Sequence, residues 1–281
     1  MLDHGGTRSG VPGPAGELMA DLEALLGDFA DECAGLERLV APLAPAEWAR
    51  ATPAPGWTIA HQIGHLAWTD EIATIATADA ARFQQLLAEA GPRALTFVDE
   101  AAEKAATEPP AELLDRWRRG RAGLVAALRA TPPGVKLPWF GPPMSAASMI
   151  TARIMETWAH GQDVADALGV HRTATARLRT VAHIGVRTRN FAYTVHGKTP
   201  PAAEFRVELT APDRTIWAWG PEDAEQRVTG SALDFCLLVT QRRHPDDLAI
   251  HADGDDAAEW LTIAQAFAGP TGEGRTAGQF T

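Results

Sequence analysis

The chain has 281 residues, 46% of them hydrophobic, and a formal net charge of −11. That is ample apolar material for one large domain or two ordinary ones, and the acidic balance excludes non-specific binding to a nucleic-acid backbone. The two cysteines, Cys33 and Cys236, are too few and too far apart for a disulfide scaffold or a cysteine-rich zinc site.

In chain order, residues 1–16 are Gly/Pro-rich and read as a disordered tail with no signal-peptide core. Leu18, Leu22, Leu25, Leu26, Phe29, Cys33, Leu36 and Val40 then recur at helical spacing, until Pro42 and Pro45 end the helix. The segment Pro53-Ala54-Pro55-Gly56-Trp57 is a turn, and Thr58 is placed to cap a second helix running to about Ala78. A further piece spans Ala80 to Ala90. A third helical region from Leu95 to Ala130 is broken at Pro109-Pro110. After a Pro/Gly-rich loop from Thr131 to Pro143, a fourth helix covers Ser145 to Leu168, with Gly169 as its C-cap.

Another helix, Ala174 to Tyr193, precedes a change of period. Phe205 to Leu209, Thr215 to Trp219 and Gln226 to Gly230 read as strands, and Ser231 to Gln241 and Ala257 to Phe267 as helices. Trp217 and Trp219 read as packing residues. The expectation is a mainly α protein: an N-terminal four-helix bundle over residues 17–172, a smaller C-terminal α+β domain over 173–269, and a disordered tail over 270–281. No run is long and apolar enough for a membrane span. A cytoplasmic protein with neither membrane nor nucleic-acid partners follows, while oligomeric state leaves no mark on the pattern.

One constellation carries chemistry. His61, His65, Trp68 and Ile72 share one face of the second helix, so the histidines travel inward with the apolar residues. Glu156 and His160 lie one turn apart on the fourth helix. A buried carboxylate is costly unless it meets a cation. Two imidazoles and a carboxylate suit zinc, iron, nickel or manganese, and three protein ligands leave a position open for catalysis. Asp163, one turn beyond His160, is placed to hold that ring's other nitrogen. The same spacings also fit a surface Glu-His pair and a hydrogen-bonded core histidine. His61 fits either a helix-surface residue or a group near the metal. His171, His183, His196, His244 and His251 have no comparable context.

The run from Gly56-Trp57-Thr58 to His61-Gln62-Ile63-Gly64-His65-Leu66 resembles the tryptophan-to-His-Leu signature of the DinB-like superfamily. Met155-Glu156-Thr157-Trp158-Ala159-His160-Gly161-Gln162-Asp163 is similar to its second signature. The branch it looks closest to is that of the mycothiol-dependent maleylpyruvate isomerases. Val228 to Asp234 through Trp260-Leu261 resembles that branch's C-terminal domain. The resemblance covers most of the chain. It implies a DinB-like bundle holding one divalent metal, usually zinc, through His65, Glu156 and His160. Many relatives carry an acidic residue where this chain has His61.

The leading expectation is a metal-dependent enzyme that uses a low-molecular-weight thiol such as mycothiol for S-transfer or isomerisation of a small electrophile. His61 would shuttle a proton, and Arg153 would hold a carboxylate of substrate or thiol. The residues also allow a thiol-independent metal-dependent hydrolase, isomerase or cyclase, and a non-catalytic metal- or ligand-binding protein. The C-terminal domain is expected beside the open face of the metal. From there Arg187, Arg189, Arg242 and Arg243 would offer anion contacts, although surface charge is the commoner fate of arginine.

Overall fold

A computed structural model describes residues 14–91 and 96–280. Helix α1 (Pro14–Val40) buries Leu22, Leu26, Phe29, Cys33, Leu36 and Val40 along one stripe. Large apolar side chains so placed contribute roughly 1.5–3 kcal/mol each. Helix α2 (Ile59–Ala78) starts at Thr58, whose extended backbone makes it the N-cap. Helices α3 (Ala80–Ala90) and α4 (Phe97–Ala106) lead to α5 (Pro110–Arg129), which opens with a first-turn proline. Helix α6 (Ala146–Leu168) ends at Gly169, whose φ of 67° is the left-handed cap a glycine supplies without strain. Of the tail expected over 1–16, residues 14–16 instead open α1, while residues 1–13 and the expected helix start at Leu95 lie outside the described residues.

Helices α1, α2, α5 and α6 form the bundle. Helix α2 packs on α5 and α6, and α1 on α6. Helix α4 lies along the outside of α2. There Gly64 permits the approach: a Cβ at that position would fall 2.6 Å from Ala105 Cβ. No helix of the described residues is long and apolar enough to cross a membrane.

The expected helix from Ala174 to Tyr193 is two helices, α7 (Leu178–Arg187) and α8 (Arg189–Val195). They part at Thr188, whose hydroxyl donates to the distant Gln265 carbonyl. Strands β1 (Phe205–Thr210), β2 (Ile216–Trp219) and β3 (Gln226–Ser231) match the alternating segments. Strand β4 (Ile250–Asp253) was not expected. The sheet order is β2-β1-β3-β4, with β1 and β3 parallel and the two outer pairings antiparallel. Helix α9 (Ala232–Val239) follows β3, and α10 (Asp255–Ile263) ends four residues short of the expected Phe267. The chain is thus mainly α, with an α+β C-terminal part.

Two apolar cores meet on α6. Met149, Ile150 and Ile154 belong to the bundle core, while Met155, Trp158 and Ala159 join the core under the sheet. The described segment after Gly269 is anchored, contrary to the expected disorder. Arg275 reaches Asp163, Gly278 N–H donates to Asp247, and Arg243 lies over the Phe280 ring. These partners come from two distant places in the chain, α6 and the segment between α9 and β4, so local composition did not reveal them.

Candidate metal centre

Helices α2 and α6 bring His65, Glu156 and His160 together, with one donor atom from each inside 4.8 Å of the others. His65 Nε2 is 3.2 Å and His160 Nε2 is 3.3 Å from the same carboxylate oxygen, Glu156 Oε2. Donors about 2.1 Å from a tetrahedral ion stand about 3.4 Å apart, so the spacing fits one ion. His65 Nδ1 is buried with no hydrogen-bond partner among the described residues. The donor chemistry fits as well. Burial would raise the Glu156 carboxyl, but the His160 and His65 imidazoles set against it hold it well below the usual carboxylate range. Burial, reinforced by His65, pushes the His160 imidazole down to about 4. A carboxylate beside a neutral imidazole is the form a divalent ion requires.

The Trp57 ring walls this cluster. Its centroid lies 5.8 Å from that of His160, nearly parallel at 17°, and 5.5 Å and 6.2 Å from those of His65 and His61. His61 itself stands outside the three-donor group. Its Nδ1 is 2.8 Å from Thr58 Oγ1 and accepts from Thr58 N–H, and its Nε2 is 2.8 Å from Glu103 Oε2 on α4. The ring therefore completes the N-terminal cap of α2.

Two expectations are corrected. Asp163 does not hold His160. It is fully buried, and its two oxygens accept from Arg242 at 2.8 Å and Arg275 at 2.6 Å. Gln62 takes that place, with Oε1 2.5 Å from His160 Nδ1. Its signal was its position three residues before His65 on the same helix. Arg153 does not face a substrate. It is 1% exposed, and its Nε donates to Asp70 Oδ1 at 2.9 Å. Both side chains are buried, so the guanidinium is committed to Asp70. Among the other arginines, Arg243 pairs with Asp166 through both terminal nitrogens, and Arg189 stacks on Phe205. Trp217 is buried in the second core, with Trp219 packed against it, as packing residues should be.

Fold and site together define a class: a DinB-like helical bundle with a three-donor centre between two of its helices. Residues 29–165 match the family model described as the mycothiol maleylpyruvate isomerase N-terminal domain. The chain therefore belongs to the DinB-like, mycothiol-dependent maleylpyruvate isomerase superfamily. A shorter stretch, residues 201–253, matches a model described as wyosine base formation. Two uncharacterized proteins from Mycobacterium tuberculosis, strains CDC 1551 / Oshkosh and H37Rv, are each 59% identical over 257 residues. The match spans 92% of this chain and all of either relative. The crystal structure of the mycothiol-dependent maleylpyruvate isomerase superposes with a TM-score of 0.57 at 21% identity, covering 83% of this chain and 94% of that one. A histidine-to-alanine mutant of that enzyme gives 0.56 with the same identity and coverage. At that identity the likeness establishes the fold.

Proposed function

We propose that this chain is a metal-dependent enzyme that uses a low-molecular-weight thiol of the mycothiol kind to transfer sulfur to, or isomerise, a small electrophilic substrate. The observation that carries this reading is the convergence of His65, Glu156 and His160 on one point. The solved relative is a mycothiol-dependent isomerase by its description, and the family match covers all three donor residues.

His65, Glu156 and His160 would hold the ion. Zinc is the first choice on the family's behaviour; nickel, iron and manganese suit the same donors. When bound, it supplies a Lewis-acidic centre that keeps a coordinated thiol deprotonated near neutral pH.

The chain's own residues do the rest. Trp57 covers the imidazole faces and keeps water from that side. Glu103 is exposed, so it is free to turn away and leave His61 Nε2 to exchange a proton with substrate. An external thiol is needed because the internal ones are out of reach. Cys33 and Cys236 are buried, and burial pushes both thiols up, away from the nucleophilic thiolate.

The test is consumption of an electrophile such as a bromobimane or a small unsaturated keto acid, with and without mycothiol and with and without chelator. Turnover that requires both thiol and metal supports the reading. A metal-dependent rate unchanged by omitting thiol would replace it with a thiol-independent hydrolase, isomerase or cyclase. No turnover across the panel, with metal bound, would leave a metal-binding protein.

A further inference from the structure

The turn before α2 is wired to the metal centre. His160 Nδ1 lies 2.5 Å from Gln62 Oε1. Gln62 Nε2 donates to Thr52 Oγ1 at 2.9 Å, and Thr52 Oγ1 donates in turn to the Trp57 carbonyl at 2.9 Å. Thr52 N–H donates to the same carbonyl at 2.8 Å. Gln62 is fully buried, so water does not compete for its amide.

The chain of bonds has a direction. A carbonyl oxygen only accepts, so the single hydroxyl proton of Thr52 is committed to Trp57. Thr52 Oγ1 is then left as an acceptor, which draws the amide N–H of Gln62 and turns its oxygen toward His160. An oxygen at Nδ1 requires the ring proton there. The neutral ring carries one proton, so Nε2 keeps its lone pair, and Nε2 is the atom that faces Glu156 Oε2. With the amide reversed, Gln62 would donate to Nδ1, the proton would move to Nε2, and His160 could no longer serve as a ligand there.

From this geometry we infer that Gln62 and Thr52 are positioning residues that fix the Nδ1–H tautomer of His160 and so present its Nε2 to a divalent ion. The inference rests on the metal reading above, but it concerns a property of the metal-free protein. It also gives the Pro-rich turn a function: the loop that sets the Trp57 wall also sets the proton on the ring beneath it.

The experiment is nitrogen-15 imidazole NMR of the metal-free chain, alongside zinc titration, on wild type, Gln62→Leu, Thr52→Val and Thr52→Ser. The wild type and Thr52→Ser carry the His160 proton on Nδ1 and bind zinc alike. Gln62→Leu moves the proton to Nε2 and weakens zinc binding about 10–100-fold, the usual effect of losing an outer partner of a ligating histidine. Thr52→Val shifts both in the same direction by less. Circular dichroism confirms that each variant is folded, so a variant that fails to fold is set aside and the Thr52 pair decides. A wild-type proton on Nε2, or Gln62→Leu and Thr52→Val that match wild type in both readouts, overturns the inference. A wild type with the proton on Nδ1 that takes up no zinc upholds the relay and defeats the metal reading instead.

Discussion

Helices α2 and α6 meet twice over buried charge, at neighbouring levels, and the two meetings are built differently. At Asp70 and Arg153 the carboxylate has a guanidinium, and both side chains are almost wholly buried, at 0% and 2% exposure. At Glu156 the carboxylate has, among the described residues, only two imidazoles, of which His160 is held neutral at physiological pH. The first place supplies its own cation and is closed. The second gathers donors without a fixed positive charge and is partly open, which is the arrangement an external cation completes. Burial raises Asp70 even with Arg153 beside it, whereas Glu156 stays strongly acidic.

The comparison can be broken from either side. The largest effect is expected at the closed pair. Arg153→Met strands the Asp70 charge and costs about 3–5 kcal/mol in urea unfolding, while Asp70→Leu with Arg153→Met recovers most of that loss. Recovery would show that the pair is a matter of register and packing. No recovery would give Asp70 a further duty.

Next comes the open place. Metal at about 100 times its Kd should stabilise the wild type by about 2.7 kcal/mol over the chelated form. Glu156→Gln should lose that gain yet, metal-free, melt no lower than the metal-free wild type. A metal-free Glu156→Gln as damaged as Arg153→Met would erase the distinction between the two places.

A smaller effect is expected where the C-terminal segment closes on α6. Arg275→Ala should cost about 1.5 kcal/mol, the low end for a charged hydrogen bond, because Arg242 still holds Asp163. Chemical denaturation reads this directly. The smallest belongs to the rim: Glu103→Ala should change stability by under about 1 kcal/mol, since that carboxylate is 76% exposed. Its consequence should appear in turnover through His61, read as kcat with metal content unchanged.

Much of this was legible in the sequence, and the failures share a cause. Helical period placed α1, α2 and α6, and the caps at Thr58 and Gly169 fixed their ends, because those signals lie within a few residues of the structure they set. The three candidate ligands could be read for the same reason: Glu156 and His160 are one turn apart, and His65 rides with apolar neighbours. Asp163 and Arg153 were misplaced because helical spacing gives a residue's position and leaves its partner open. Their partners, Arg242, Arg275 and Asp70, come from other segments. Gln62 was overlooked because a neutral amide gives no charge signal. Strand β4 was overlooked because four residues beside a Pro/Asp-rich turn give too few cycles of alternation. The break at Thr188 depends on Gln265, far along the chain.

The most direct test of the central claim is the metal content of protein purified without chelator or a nickel column, measured by mass spectrometry beside His65→Ala and Glu156→Gln. The account predicts about one divalent ion per chain in the wild type, lost from both variants while their helical signal is retained. A wild type without stoichiometric metal, even after zinc is added, would contradict it and make His65, Glu156 and His160 a polar network inside a binding protein.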